Sequence, residues 1–91
     1  MRKFELGQTV VTRGVAEELE NPEFAKFVNE SFVRHANGDW GDMCEVDKEA
    51  NEYALENDLR LFSAYKKGDW KIWIITEWDR SVTTALFPDE Y

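Results

Sequence analysis

Trp70-Lys71-Ile72-Trp73-Ile74-Ile75-Thr76-Glu77-Trp78 is the stretch on which the fold turns. Side chains alternate across a strand, so Trp70, Ile72, Ile74, Thr76 and Trp78 share one face. Lys71, Trp73, Ile75 and Glu77 share the other. Two more runs flank it, Arg60–Tyr65 and Ser81–Phe87, with turn residues at Lys66-Lys67-Gly68-Asp69 and Asp79-Arg80. Connections this short join antiparallel neighbours, which predicts a three-stranded meander. Ile74 is expected to face the helices. Trp73 and Ile75 make the opposite face more apolar than open solvent requires, so it is either covered by the N-terminal strand and the tail or is a contact surface.

Upstream the period changes. Gln8–Thr12 is β-branched and reads as a strand, and Val15–Leu19 as one or two helical turns. Asn21-Pro22-Glu23 opens a helix: Asn as N-cap, Pro in the first turn, Glu against the helix dipole. Phe24, Phe27, Val28 and Phe32 then recur at helical spacing, and Ala36-Asn37-Gly38 ends the run. Gly38–Asp42 is a loop. Asp42 and Glu45 fit a capping box, with Asp47 as a rival N-cap. A second helix follows, with Val46, Ala50, Tyr53, Ala54 and Asn57 as a narrow buried face resting on the domain's edge. Helices and strands segregated in this way predict one α+β domain over residues 1–91, a three-stranded antiparallel meander plus an N-terminal strand packed on two to three helices.

The composition supports a small core. Four Trp, three Tyr and six Phe in 91 residues bury large areas per side chain. Cys44 is the only cysteine, so no internal disulfide and no cysteine-based zinc site is expected. Met1-Arg2-Lys3-Phe4-Glu5 has no apolar segment behind it and is not read as a signal peptide. Ile72–Ile75, the longest apolar run, is too short to span a bilayer. A cytoplasmic protein is the expectation, monomeric or a small homo-oligomer. The net charge of −8 argues against direct contact with nucleic acid or with anionic membranes.

Chemistry-bearing residues gather between Arg34 and Cys44: Arg34, His35, Asp39, Trp40, Asp42 and Cys44. A Cys44–His35 nucleophile pair needs the two to meet, whereas a lone cysteine is commonly a small buried hydrophobe. His35, Asp39, Asp42 and Asp47 could offer oxygen and imidazole ligands to a metal, but their spacing matches no known loop, and Asp routinely caps turns. No catalytic residue, metal or cofactor is assigned. In the architectural alternative Trp40 plugs the junction of helices and sheet while Asp39 and Asp42 fix the loop.

Charge is distributed unevenly. Asp39, Asp42, Glu45, Asp47, Glu49, Glu52, Glu56 and Asp58 face the single Lys48 within one segment. On a helix Glu45, Glu49, Glu52 and Glu56 form one row, and like charges at this spacing oppose the helix that carries them. Such a row is either an ordinary solvated face or a binding strip for a basic surface that otherwise holds phosphates.

The phrases Gly-Gln-Thr-Val-Val-Thr-Arg-Gly-Val-Ala (7–16), Arg-His-Ala-Asn-Gly-Asp-Trp-Gly-Asp (34–42), Lys-Ile-Trp-Ile-Ile-Thr-Glu (71–77) and Phe-Pro-Asp-Glu-Tyr (87–91) resemble a family of small uncharacterised, plasmid-related proteins of bacterial mobile elements. The resemblance runs nearly end to end. It implies a bacterial cytoplasm and genes that travel with DNA-transfer functions, and it carries over no catalytic residues. The leading expectation is a non-enzymatic protein-binding module whose acidic row meets a basic protein surface, as an inhibitor or nucleic-acid mimic acting on DNA-processing machinery. The alternative is a small ligand- or metal-binding protein or enzyme centred on His35–Cys44.

Overall fold

The computed structural model describes residues 2–91; Met1, where the reading of the N-terminal stretch begins, lies outside them. The long helix α2, Pro22–Ala36, begins as its sequence dictates. Asn21 Oδ1 accepts the backbone N–H groups of Glu23 at 3.0 Å and Phe24 at 3.5 Å. Phe24, Phe27 and Val28 are buried, Phe32 is partly so, and Ser31, His35 and Ala36 prolong the same stripe. Before α2 lie a strand β1, Gln8–Val11, and a short helix α1, Arg13–Glu18; after it lies α3, Glu45–Glu56.

Strands β2 (Leu61–Lys67), β3 (Trp70–Thr76) and β4 (Val82–Leu86) pair antiparallel in sequence order. The architecture is α+β, but the sheet is a four-stranded mixed one and not a three-stranded meander. β1 runs parallel to β4, Gln8 opposite Val82 and Val11 opposite Ala85, giving the order β1-β4-β3-β2. Turn chemistry shows which strands are neighbours through short loops; it is silent on a partner at the other end of the chain. Here the three helices form the crossover, and β4 supplies the free edge that β1 takes.

Ile72 and Ile74 face α2 and are fully buried with Tyr65, Ala85, Val15 and Phe24. Trp70 closes this core edge-on to Phe24 at 5.2 Å. Trp78 does not continue that face: β3 ends at Thr76, and Trp78 stands 64% exposed in the following turn. On the far side of the sheet Ile75 and Leu86 are buried, Phe62 packs on Trp73 at 4.9 Å, and Tyr91 packs on Trp73 at 5.7 Å. The C-terminal tail, and not the N-terminal strand, contributes that cover. A one-turn 3-10 helix, Pro88–Glu90, fixes it, because Glu90 accepts from Thr12 Oγ1 at 2.6 Å and from the backbone of Gly14 at 3.1 Å.

α3 is rotated from the expected orientation. Its buried residues are Asn51 and Ala54, with Leu55 partly buried, whereas Val46 and Tyr53 are 73% and 63% exposed. The reason is polar. The Asn51 amide acts as a piece of β-strand, accepting from Phe62 N–H at 3.1 Å and donating to Phe62 C=O at 2.5 Å. Two such bonds at a sheet edge, about 0.5–1.5 kcal/mol each, are comparable to burying one valine, about 1.5–3 kcal/mol. Asp42 N–H also donates to the Ala64 carbonyl at 2.7 Å and Ala64 N–H to the Trp40 carbonyl at 3.3 Å, so the β2 edge is paired at both Phe62 and Ala64. Neither Asp42 nor Asp47 caps α3: Cys44 holds the N-cap position without a side-chain cap bond.

Arg80, in the left-handed region at φ 60°, closes the other end of α3. Its guanidinium donates to the carbonyls of Ala54 at 3.1 Å, Leu59 at 2.6 Å, Glu77 at 3.1 Å and Trp78 at 3.3 Å. Among the described residues no helix is long and apolar enough to cross a membrane.

Candidate functional site

The 34–44 segment divides by side chain. Arg34 grips Asp39 through two hydrogen bonds, 2.7 and 3.2 Å, and lies over the Tyr65 ring at 4.8 Å. That bond holds the Asp39 carboxyl below the usual carboxylate range and raises Arg34 in turn. Asp39 also accepts the Gly41 N–H at 3.1 Å, and its carbonyl accepts Tyr65 O–H at 2.6 Å. Gly41 sits at φ 79° against Ala64, where a Cβ would collide with the Ala64 carbonyl oxygen. Trp40 is 4% exposed between Phe4, His35 and Leu61, and its Nε1–H donates to Glu52 at 2.7 Å. The loop thereby docks α2 and α3 on β2.

His35 is the centre of a second arrangement, which lies wholly in the core. Nδ1 lies 2.5 Å from Ser63 Oγ and Nε2 lies 2.8 Å from Thr76 Oγ1. Thr76 Oγ1 lies 2.8 Å from Thr83 Oγ1, which donates to the Leu6 carbonyl at 2.6 Å. A carbonyl only accepts and a hydroxyl has one proton, so the direction follows from Leu6 back to His35 Nε2, and the neutral imidazole then sets the last bond. Thr83 donates to Leu6, Thr76 to Thr83, His35 Nε2–H to Thr76, and Ser63 to His35 Nδ1. The chain places a proton on Nε2, and burial keeps the ring neutral, so Nδ1 is the acceptor. Burial, with Arg80 nearby as the second cause, pushes its pKa down to about 3.

Cys44 is not a buried hydrophobe. It is exposed, its thiol donating to Asp47 at 3.2 Å, while both nitrogens of His35 are engaged by hydroxyls. The two do not form a nucleophile–base pair in this arrangement. Asp42 points to solvent beside a recess of about 180 Å³ shared with Lys66, Lys71 and Trp73. Among the described residues no three His, Cys, Asp or Glu side chains gather as a metal site would require.

The acidic helix is the other candidate. Glu45, Glu49, Glu52 and Glu56 are all exposed residues of α3. Glu52 is engaged by Trp40, and Glu45 has Lys48 at 4.0 Å. The last turn of α3 has no basic residue, so Glu56 opposes the helix dipole there. Val46, Ala50 and Tyr53, spaced four and three apart, run exposed through the same helix as these carboxylates. Leu59 (46% exposed) and Trp78 (64%) continue the apolar surface at the helix's C-terminal end, where Arg80 joins their carbonyls. The sequence pattern marked Val46, Ala50 and Tyr53 as apolar but assigned them to the core. Only the edge-pairing role of Asn51 turns them outward. No model of a known protein family matches this chain, and neither a characterised protein nor a solved structure does.

Proposed function

We propose that this chain is a non-enzymatic protein-binding module that docks through the outer surface of α3 on a basic protein surface with an apolar centre. One observation carries the reading. Of the six exposed large hydrophobic residues among those described, four (Val46, Tyr53, Leu59 and Trp78) lie on α3 or at its end. Val46 and Tyr53 lie within the segment Asp39–Asp58, which holds eight carboxylates against one lysine; Leu59 directly follows it, and Arg80 ties the Trp78 backbone to that end of the helix. Interfaces have this anatomy, apolar at the centre and charged at the rim, and the rim charge selects a partner of opposite sign. A basic surface of this kind is standard on enzymes that process DNA. The resemblance to small proteins of mobile elements favours that class of partner and a cytoplasmic setting, with inhibition by occupying the phosphate-binding surface as the mode of action.

The test is capture from a bacterial lysate at low salt, identification of the retained protein, and measurement of its affinity for three forms of this chain. The wild type should bind with steep salt dependence. Conversion of Glu45, Glu49, Glu52 and Glu56 together to Gln should flatten that dependence and slow association. Val46→Ser with Tyr53→Ser should instead speed dissociation, by about 1.5–3 kcal/mol per buried side chain lost. Equal affinity of all three forms, or no partner retained at low salt, sinks the proposal.

A further inference from the structure

The two edges of the sheet are treated differently. β2 is paired at Phe62 by Asn51 and at Ala64 by the Trp40 and Asp42 backbone, whereas among the described residues β1, at the other end of the strand order, has no strand beyond it. Gln8 N–H bonds Ser81 at 2.9 Å and Thr12 N–H bonds Ala85 at 3.0 Å. In a parallel ladder alternate residues bond the same neighbour, so the N–H and C=O groups of Thr9 and Val11 point away from the sheet. Unpaired groups in that direction are a template for another strand.

Beside this edge, on the helix side, lies a groove of about 600 Å³. Leu6, Val11, Leu19, Val28, Phe32 and Val33 supply its large apolar side chains. The groove is polarised. Along α2, Arg2, which lines the groove and lies 3.6 Å from Glu5, and exposed Lys3 sit by the helix's C-terminal end, where Lys3 N–H bonds the Ala36 carbonyl; Leu19, between exposed Glu18 and Glu20, precedes its N-terminus. Asn37 belongs to the Arg2 end, and its Oδ1 is buried without a hydrogen-bond partner. A purely apolar ligand would leave the strand edge and both charged ends unused. An extended peptide uses all three: its backbone pairs with Thr9 and Val11, alternate side chains enter the groove, and its end charges meet Arg2 and Glu18–Glu20.

We propose that the β1 edge and the adjoining α2 groove form a docking site for an extended segment of a partner protein, apolar at alternate positions, acidic at the Arg2 end and basic at the Glu18–Glu20 end. Addition is antiparallel, the more stable pairing, so the basic end is N-terminal. This site is separate from the α3 surface and does not depend on it.

The probe is a set of labelled seven-residue peptides, Lys-X-Thr-X-Thr-X-Glu with X as Val, Leu or Phe, titrated into isotope-labelled full-length protein. The expected result is shifts of the Thr9 and Val11 amide resonances, with slowed hydrogen exchange at both. Exchanging the terminal Lys and Glu should weaken binding. Thr9→Pro removes an outward donor and leaves the β1–β4 ladder intact, because Pro is tolerated on an outward-facing edge. It should weaken binding about tenfold, the loss of one main-chain hydrogen bond. Val33→Glu, at a side chain already 60% exposed, tests the groove without touching the strand. No shift at Thr9 and Val11 with millimolar peptide overturns the proposal. So do shifts confined to α3, which would assign peptide binding to that helix, and concentration-dependent pairing of β1 with a second copy in place of the peptide.

Discussion

Acid should destabilise this protein through His35 alone over the range in which most domains are at their most stable. The imidazole is fully buried, neutral, and committed to a one-way hydrogen-bond chain. Its folded pKa of about 3 lies well below its unfolded value of 6.5. The unfolded chain therefore binds a proton that the folded chain refuses. Above pH 6.5 this costs nothing; as pH falls toward 3 the folded state loses ground; below 3 the loss levels off. At 1.36 kcal/mol per pH unit, the step from pH 7 to pH 5 removes about 2 kcal/mol, and the full gap sets a ceiling of roughly 5 kcal/mol. No other His titrates in that window. Asp39, Asp79 and Glu90 are each held low by hydrogen bonds, so the stability they contribute is lost only at more acid pH. Urea unfolding at pH 7 and pH 5 measures the effect directly, with His35→Gln as the reference because its amide still donates and accepts but does not titrate. The wild type should lose about 2 kcal/mol more than the variant between the two pH values. Parallel pH dependence in the two proteins would refute the burial argument and the neutral state of the imidazole with it.

Asn51→Ala should cost about 2–3 kcal/mol, since it strips two bonds from Phe62, and it should make the protein aggregate at concentrations the wild type tolerates; thermal melts with light scattering read both. Gly41→Ala should destabilise by at least about 2 kcal/mol, through the collision with Ala64 and the left-handed backbone, and a shift in urea midpoint without a change in slope is the expected signature. Arg34 and Asp39 are each about half exposed, at 45% and 51%, so a double-mutant cycle should give a coupling of no more than about 1 kcal/mol despite the paired geometry.

Local chemistry made much of this fold readable. Asn21-Pro22-Glu23 set the start of α2, and Ile72 and Ile74 lie on the helix side where alternation places them. The plug role of Trp40 was also open to reading, from a large ring in the Gly38–Asp42 loop at the junction of helices and sheet. Features that depend on distant partners were not. β1 finds β4 across nearly the whole chain, and Asn51 looks like any polar helix residue until Phe62 lies beside it. Periodicity therefore put Val46, Ala50 and Tyr53 inside, because it ranks faces by hydrophobicity and gives no weight to an amide that completes a sheet. His35 was singled out for chemistry because it is rare in this chain. Its partners Ser63 and Thr76, and Thr83 beyond them, occupy inward strand positions where hydroxyls are uncommon, and that parity was the available signal.

A sheet with one closed and one open side has a limited capacity for growth. Fibrillar stacking requires every added chain to offer a fresh acceptor on its far side, and a molecule joined here through β1 offers only the barrier at Asn51. Each molecule can then extend another's sheet once and no further. The amide at Asn51 thus acts as a chain terminator, keeping one reactive backbone edge compatible with life as a dissolved protein.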